Sequence, residues 1–416
     1  MSSSKFFSLD VGSSNIRITA AQFDSEGKMN IIGAVSAPSA GVRRGAVIDI
    51  EENSQAISLA AEKLEGIIEQ KIKNAVLGIG GTEIKMNESK GVIAIGRANG
   101  EVSGDDIERV LESAQNASMP VNNETVHVVP KEYKLDDQSG IKNPIGMHGI
   151  RLEVDALMIE DSATHLSNLT KSASQAGISV GGIMAGPLAA ATAVLDKNEK
   201  ELGVVVIDIG GGTTSISIFE EGDLAYISVL PIGAGHITND IAIGLRVPIE
   251  TAEKVKLGYG SAFPENISKR EMIDLSIVDP QEQGEVSRYH VAEIIEARLS
   301  EIFEMVNGEL KKIGKAGLLP SGAVLVGGGA ELHDIVNFAK NSLGLPAKVG
   351  YPKGISGIVD KVDSPSFAAS IGLFSYLEND SYKKSGRGYE KFLSIGGVDI
   401  KSMGKKLRNW TDKFLP

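Results

Sequence analysis

One pattern occurs twice in this chain and limits its fold more than any other. The run Phe6-Phe7-Ser8-Leu9 delivers Asp10, then Val11, Gly12, Ser13 and Ser14 turn the chain, and an alternating run follows from Asn15 to Phe23. About 200 residues later Val204-Val205-Val206-Ile207 delivers Asp208, Ile209 and the triple glycine Gly210-Gly211-Gly212 turn the chain, and Thr213-Thr214 lead into the run Ser215 to Phe219. Each copy is followed by a further apolar run, Ile31 to Ala37 and Tyr226 to Pro231. A strand that ends in an aspartate, a small-residue turn and a returning strand predict a β-hairpin. Its repetition at this spacing predicts two similar lobes facing each other.

Length agrees, because 416 residues exceed what one hydrophobic core holds. Helical and strand patterns alternate elsewhere, as in α/β lobes. Asn53 reads as the cap of a helix to about Gln70, before a buried strand at Ala75 to Ile79. Ser162 to Ala176 reads as a helix closed by Gly177, and helical patterns recur at Thr238 to Gly244, Pro248 to Leu257 and Val291 to Leu310. Ala323 to Val326 reads as a strand stopped by Gly327-Gly328-Gly329, and Pro365 to Leu377 as the last helix of the body. Residues 83–161 break the alternation with short strands, one helix near Asp105 to Asn116 and a loop at Ile141 to Gly149, which predicts an inserted subdomain. The expected organisation is a first lobe of 1–82 and 162–202, the insertion, a second lobe of 203–377 with its outer part at about 232–303, and a linker at 378–400. A terminal helix at 401–416 completes it.

Small residues let a backbone close around phosphates and aim its N–H groups at them. An aspartate before each turn is placed to hold hydrated Mg²⁺, and Arg17, on the returning strand, to neutralise phosphate charge. Either loop alone could be only a turn. Two loops, a third triple glycine and a helix carrying Glu253 and Lys256 together predict a nucleotide site. Neither G-x-x-x-x-G-K-[ST] nor G-x-G-x-x-G occurs, which excludes the P-loop and dinucleotide patterns. A net charge of -12 excludes a broad nucleic-acid footprint. The absence of cysteine excludes thiolate zinc sites, disulfides and thiol nucleophiles. The six histidines have no metal-ligand spacing, and Ser13, Ser14, Thr213 and Thr214 have no histidine at triad spacing, so no catalytic residue is assigned.

The terminal segment reverses the local charge. Met403, Leu407, Trp410 and Phe414 form one apolar helical stripe, with Leu415 beside it, while Lys401, Lys405, Lys406, Arg408 and Lys413 surround it against the single acid Asp412. The only tryptophan lies on the apolar face, as a bilayer interface favours. The N-terminus lacks an apolar signal region, and no run reaches the roughly 18 apolar residues a spanning helix needs. The expected location is the cytoplasmic face of the cell membrane, with the chain lying on an anionic surface. A helix docked on the protein itself or on a partner is the alternative use of this segment.

These loops, and the order between them, resemble the actin, Hsp70 and sugar-kinase superfamily. Nearly the whole chain resembles the FtsA family of bacterial division actins. The resemblance rests on Asp208-Ile-Gly-Gly-Gly-Thr-Thr214, Pro231-Ile-Gly-Ala-Gly-His-Ile-Thr-Asn-Asp240, Ala252-Glu-Lys-Val-Lys256, Val324-Leu-Val-Gly-Gly-Gly-Ala330 and, in the insertion, Gly140-Ile-Lys-Asn-Pro-Ile-Gly146. It implies a two-lobed actin-like fold with a family-specific subdomain in the first lobe, and ATP with Mg²⁺ as ligands. Gly12 to Asn15 and Gly210 to Thr214 are then the phosphate loops, with Asp10 and Asp208 near Mg²⁺ through water. Gly233 and Gly235 join the same site, Glu253 and Lys256 reach the ribose or adenine, and Gly327 to Gly329 pass beneath the adenosine. The basic residue after the first loop is usually lysine in such folds, and Arg17 keeps the charge with a different geometry.

The resemblance further implies polymerisation, attachment of the tubulin-like FtsZ through its C-terminal tail, and recruitment of later division proteins. Arg288 and Arg298 are candidate anchors for that acidic tail, an ordinary solvated helix charge being the alternative. Ile183 to Pro187 and Ala189 to Ala191, where such folds place a water-orienting side chain, offer none, so slow hydrolysis is expected. Two other readings are a pilus-assembly type of actin-like scaffold and a small-molecule kinase of the same superfamily.

Overall fold

The computed structural model describes residues 4–24, 27–118 and 122–378. The chain opens with an antiparallel meander, β1 (Lys5–Val11), β2 (Asn15–Phe23) and β3 (Met29–Pro38). A tight hairpin of β4 (Val42–Arg43) and β5 (Ala46–Val47) leads to helix α1 (Ile50–Ile68) and strand β6 (Asn74–Ile79). The chain then leaves this lobe to build β7 (Lys85–Ala94), α2 (Gly104–Ala117), β8 (Asn123–Leu135), β9 (Gln138–Ile141) and β10 (Arg151–Ser162). It returns through α3 (Ala163–Gln175), β11 (Ser179–Ala185), α4 (Gly186–Val194) and α5 (Lys197–Leu202).

A second meander, β12 (Val204–Ile209), β13 (Thr214–Glu220) and β14 (Asp223–Leu230), precedes α6 (Ala234–Leu245) and α7 (Ile249–Tyr259). A small hairpin of β15 (Met272–Asp274) and β16 (Glu285–Ser287) encloses the one-turn α8 (Leu275–Val278). The long α9 (Arg288–Lys312), β17 (Ala323–Val326), α10 (Ile335–Leu343) and β18 (Ala347–Val349) complete this half. Strand β19 (Ile355–Gly357) and helices α11 (Ala368–Gly372) and α12 (Ser375–Glu378) pack back onto the first half.

The two main sheets repeat one topology. Their orders are β3-β2-β1-β6-β11, extended by β19 beside β3, and β14-β13-β12-β17-β18. In each, three antiparallel strands are joined by two that run parallel to the first. Strand β12, between antiparallel β13 and parallel β17 in the middle of its sheet, is apolar at nearly every position because it is covered on both faces. The 83–161 region carries its own antiparallel sheet, β7-β10-β8-β9, and a core in which Val110 and Ala114 of α2 pack on Leu152, Val154 and Met158 of β10.

Helix α4 joins the halves. Pro187, Leu188, Ala189, Ala190, Ala191, Ala193 and Val194 are all buried, which suits a helix enclosed on every side. It packs in one core with Val204 and Val206 of β12 and with α11. Gly372 of α11 passes so close that an added Cβ would stand 1.8 Å from the Ala189 carbonyl oxygen.

Three local expectations are corrected. The cap of α1 is Asp49, whose carboxylate accepts the Glu52 N–H at 2.9 Å, while Asn53 is buried inside the helix and donates to Ala40 O at 3.1 Å. Helix α6 starts at Ala234 rather than Thr238, because its first N–H groups are anchored on the preceding loop. The expected helix from Pro365 to Leu377 is broken into a 3₁₀ turn (Pro365–Phe367), α11 and α12 where it crosses α4. Among the described residues no helix is long and apolar enough to cross a membrane. The predicted membrane residues Met403, Lys405, Lys406, Leu407, Arg408, Trp410, Lys413, Phe414 and Leu415, and the linker before them, lie outside the described residues.

Candidate functional site

The twin hairpins close with the same bond. Gly12 N–H donates to Asn15 O at 3.0 Å, and Gly210 N–H donates to Thr213 O at 2.9 Å. Asp10 pairs in register with Arg17, and Asp208 with Ser215, so only the first hairpin carries a cation at that place. The loops touch across the molecule. A Cβ on Gly211 would stand 1.9 Å from Ser14 Oγ, and one on Gly212 would stand 2.6 Å from Ser13 Oγ. Glycine is therefore needed where the halves meet.

Helix α6 supports the second loop from behind. Ala234 N–H donates to Gly210 O and Gly235 N–H to Gly211 O, both at 2.8 Å. A Cβ on Gly233 would meet the Gly210 carbonyl oxygen at 2.4 Å, so close packing explains this glycine. His236 Nδ1 accepts the Gly233 N–H at 3.1 Å. Thr214 turns inward and donates from Oγ1 to Ile232 O at 2.8 Å. Lys256 is buried and donates to Glu253 Oε2 at 2.6 Å and to Thr238 Oγ1 at 2.8 Å, which ties α7 to α6 just behind the loop.

The electrostatics of the cleft are unbalanced. Burial pushes the Asp10 carboxyl above its ordinary range, and Arg17 pulls it back in part. Burial, with the nearby Asp10 charge, pushes Asp208 up to about 6 against the same Arg17. Arg17 lies with its guanidinium carbon 5.6 Å from the Phe367 ring centroid, and its buried Nε has no hydrogen-bond partner. Two carboxylates raised by burial would gain from a cation, and an orphaned guanidinium nitrogen would gain from an anion. Such a cleft could hold a hydrated divalent ion and a phosphate together. Among the described residues no cluster of three or more His, Asp or Glu side chains forms a metal cage.

Gly327 has φ +80° and leaves room for Asp208, since a Cβ there would be 2.2 Å from Asp208 Oδ1. Gly329 packs on Ile209, and nothing stands near Gly328. Sequence reasoning missed the counterpart pair, Gly80-Gly81 at the end of β6, although the repeat offers the signal. It also missed His165, whose Nδ1 lies 2.7 Å from Asp161 and Nε2 3.0 Å from Gly45 O. Arg288 and Arg298 lie on α9, away from this cleft. Arg288 binds Glu271 at 2.6 Å and Tyr259 O at 2.9 Å. Arg298 grips Asp240 in a fork at 2.6 and 2.9 Å and also binds Glu301.

The chain is similar to known proteins. The family model for "Cell division protein FtsA" matches residues 205–372, that for the "SHS2 domain inserted in FTSA" matches 81–160, and that for "Hsp70 protein" matches 167–226. The cell division protein FtsA of Pseudomonas aeruginosa is 35% identical over 368 residues, covering 88% of each chain. That of Bacillus subtilis is 36% identical and covers 89% of this chain and 83% of its own. That of Borreliella burgdorferi is 35% identical and covers 99% of this chain and 100% of its own. Among solved structures, a chain of the PilM–PilN type IV pilus biogenesis complex has a TM-score of 0.63 at 15% identity, covering 92% of this chain and 98% of that one. MreB5 of Spiroplasma citri bound to ADP has a TM-score of 0.51 at 16% identity, covering 89% and 95%. Likeness at such identity speaks for the actin-like fold alone.

Proposed function

The chain belongs to the FtsA family of cell-division proteins, and from that premise we propose that it binds ATP with Mg²⁺ between its lobes, polymerises, and tethers FtsZ filaments to the membrane. The tether acts at the cytoplasmic face of the cell membrane and recruits later division proteins. One observation carries the nucleotide part. The two small-residue loops meet beside Asp10, Asp208 and the unpartnered Nε of Arg17, a set that fits an anion and a cation bound together.

Gly12 to Asn15 and Gly210 to Thr214 would contact the phosphates, while Asp10 and Asp208 would hold the cation through its waters. Bound Mg²⁺ supplies charge neutralisation across the phosphates. The Gly327–Gly329 turn would pass beneath the nucleoside, with open space at Gly328, and Glu253 and Lys256 would lie alongside. Turnover is slow in this reading. The start of α4 presents buried Ala189, Ala190 and Ala191, and its hydroxyl, Thr192, donates back within the helix to Leu188 O at 2.9 Å. ATP then acts by favouring the closed arrangement in which the loops touch.

The membrane part rests on the terminal sequence. Burial of an apolar side chain gives about 1.5–3 kcal/mol, and each basic residue near an anionic surface about 1 kcal/mol. Ordering the tail offsets much of this, so one tail binds reversibly while a polymer presenting many holds firmly. The test is co-sedimentation with anionic liposomes, with and without ATP and FtsZ, for the full chain and for one ending at Gly397. ATP-enhanced pelleting of FtsZ by the full chain alone is expected. Equal pelleting by both chains, or by neither, refutes the tether.

A further inference from the structure

We propose that Arg44, at the tip of the β4–β5 hairpin, is a third phosphate-side element of the cleft, a cation for the terminal phosphate, positioned by the buried pair His165–Asp161. This rests on the reading of the cleft as an ATP site. It adds to that reading a residue outside both loops.

The hairpin tip stands where the loops meet. A Cβ on Gly212 of the second loop would lie 3.2 Å from Arg44 Cα, next to its 2.6 Å approach to Ser13 Oγ of the first. Gly45 N–H donates to Ser13 Oγ at 2.9 Å, so the tip is bonded to one phosphate loop and packed on the other. Arg44 and Gly45 both have left-handed backbones, φ 51° and φ 78°, which is the two-residue turn that matches strand twist in a hairpin. The first position of such a turn is usually Asn, Asp or Gly. An arginine in that left-handed conformation is uncommon. Its side chain is exposed, and among the described residues it has no ion pair or hydrogen bond.

The tip is also fixed from below. Gly45 packs so tightly on Gly81 that a Cβ would stand 2.5 Å from Gly81 Cα. Its carbonyl lies 3.0 Å from His165 Nε2, and His165 Nδ1 lies 2.7 Å from Asp161 Oδ2. With Asp161 ionised, its carboxylate and the Gly45 carbonyl both accept, so both ring nitrogens donate, which is the imidazolium form. Burial works against that charge, yet the Asp161 carboxylate lifts the His165 pKa above its ordinary value. The side chains of His165 and Asp161 are 4% and 0% exposed, and they join the start of α3 and the end of β10 to a loop over 100 residues away. A charged pair placed under one carbonyl holds that carbonyl, and with it the tip, in a single position.

Charge in the cleft gives the tip its use. Asp10 and Asp208 add negative charge that Mg²⁺ offsets, and a magnesium-bound triphosphate remains anionic. Arg17 is the cation already at the site, whereas Lys256 is committed to Glu253. A second guanidinium beside the meeting point of the loops would answer the terminal phosphate, which ADP lacks.

The test is displacement of fluorescent ATP and ADP analogues from the full chain, wild type and variants. Arg44→Ala should weaken ATP about tenfold and ADP less than twofold, the loss of one charge-assisted contact, and Arg44→Lys should keep part of the preference. His165→Ala should lower the ATP-to-ADP preference in the same way. In the Arg44→Ala background it should lower the preference no further, because it acts through Arg44. Equal loss for both nucleotides, or no loss in Arg44→Ala, overturns the assignment. An independent His165 effect on the preference in that background overturns the positioning role. A wild type that binds neither nucleotide overturns the ATP reading itself, which separates that failure from the first.

Discussion

Replacing Asp208 with asparagine should stabilise the nucleotide-free protein, by an amount that grows with pH. Burial and the neighbouring Asp10 raise its carboxyl from an ordinary 3.8 to about 6 in the folded chain. The folded state therefore holds its proton to higher pH than the unfolded state does. Below about pH 4 both states are protonated and the residue costs nothing. From there to pH 6 the unfolded chain ionises first, and each tenfold difference costs the folded state 1.36 kcal/mol. Above pH 6 the full penalty is present, about 3 kcal/mol, and about 1–3 kcal/mol once partial solvent access to the cleft is allowed for. Asparagine has the same shape without the charge, so the penalty disappears. The assay is thermal unfolding of wild type and Asp208→Asn between pH 4.5 and 8 without nucleotide. The variant should gain stability steadily up to pH 6 and hold a constant lead above it. With Mg²⁺ and ATP the order should reverse, because the cation then stabilises the carboxylate that the variant lacks. A pH-independent difference, or a wild type that is the more stable at pH 8 without nucleotide, would refute the reasoning.

Gly211→Ala should block contact between the loops, because the new Cβ meets Ser14 at 1.9 Å. ATP affinity should fall at least tenfold, and adding Ser14→Gly should restore most of it in a titration of the double variant. Gly372→Ala puts a methyl 1.8 Å from the Ala189 carbonyl oxygen, where only backbone movement gives relief. A loss of about 3 kcal/mol is expected, read as a lower unfolding midpoint or as loss of soluble protein. His127 is buried and accepts the Ala185 N–H at 3.0 Å, and burial lowers its pKa to about 3. Its folded pKa lies below the unfolded value, so stability should fall as pH drops from about 6.5 toward 3. His127→Gln keeps an acceptor without the titration and should flatten that acid limb in pH-dependent denaturation.

The sequence by itself determined the duplicated hairpin with its small-residue loops and the limits of strands such as β2 and β17. Those properties are local. Strand β2 follows from alternation over Asn15 to Phe23, β17 from four apolar residues stopped by glycine, and the loops from residues without bulky Cβ substituents next to an aspartate. Errors arose where neighbours offered equal local choices. Asp49 and Asn53 are both good caps one turn apart, and packing on Ala40 drew the second into the helix. The segment after Pro365 reads as one helix, but its crossing with α4 at Gly372 breaks it. Only the tertiary structure could decide how residues far apart in the chain meet. It set the contact of Gly211 with Ser14, left the Nε of Arg17 without a partner, bound Arg298 to Asp240, and linked Ser13 to Asp161 through Gly45 and His165. Side-chain pattern over a few residues selects an element and its buried face. Which groups then share a cleft depends on the order and crossing of elements, and no window of sequence contains that geometry.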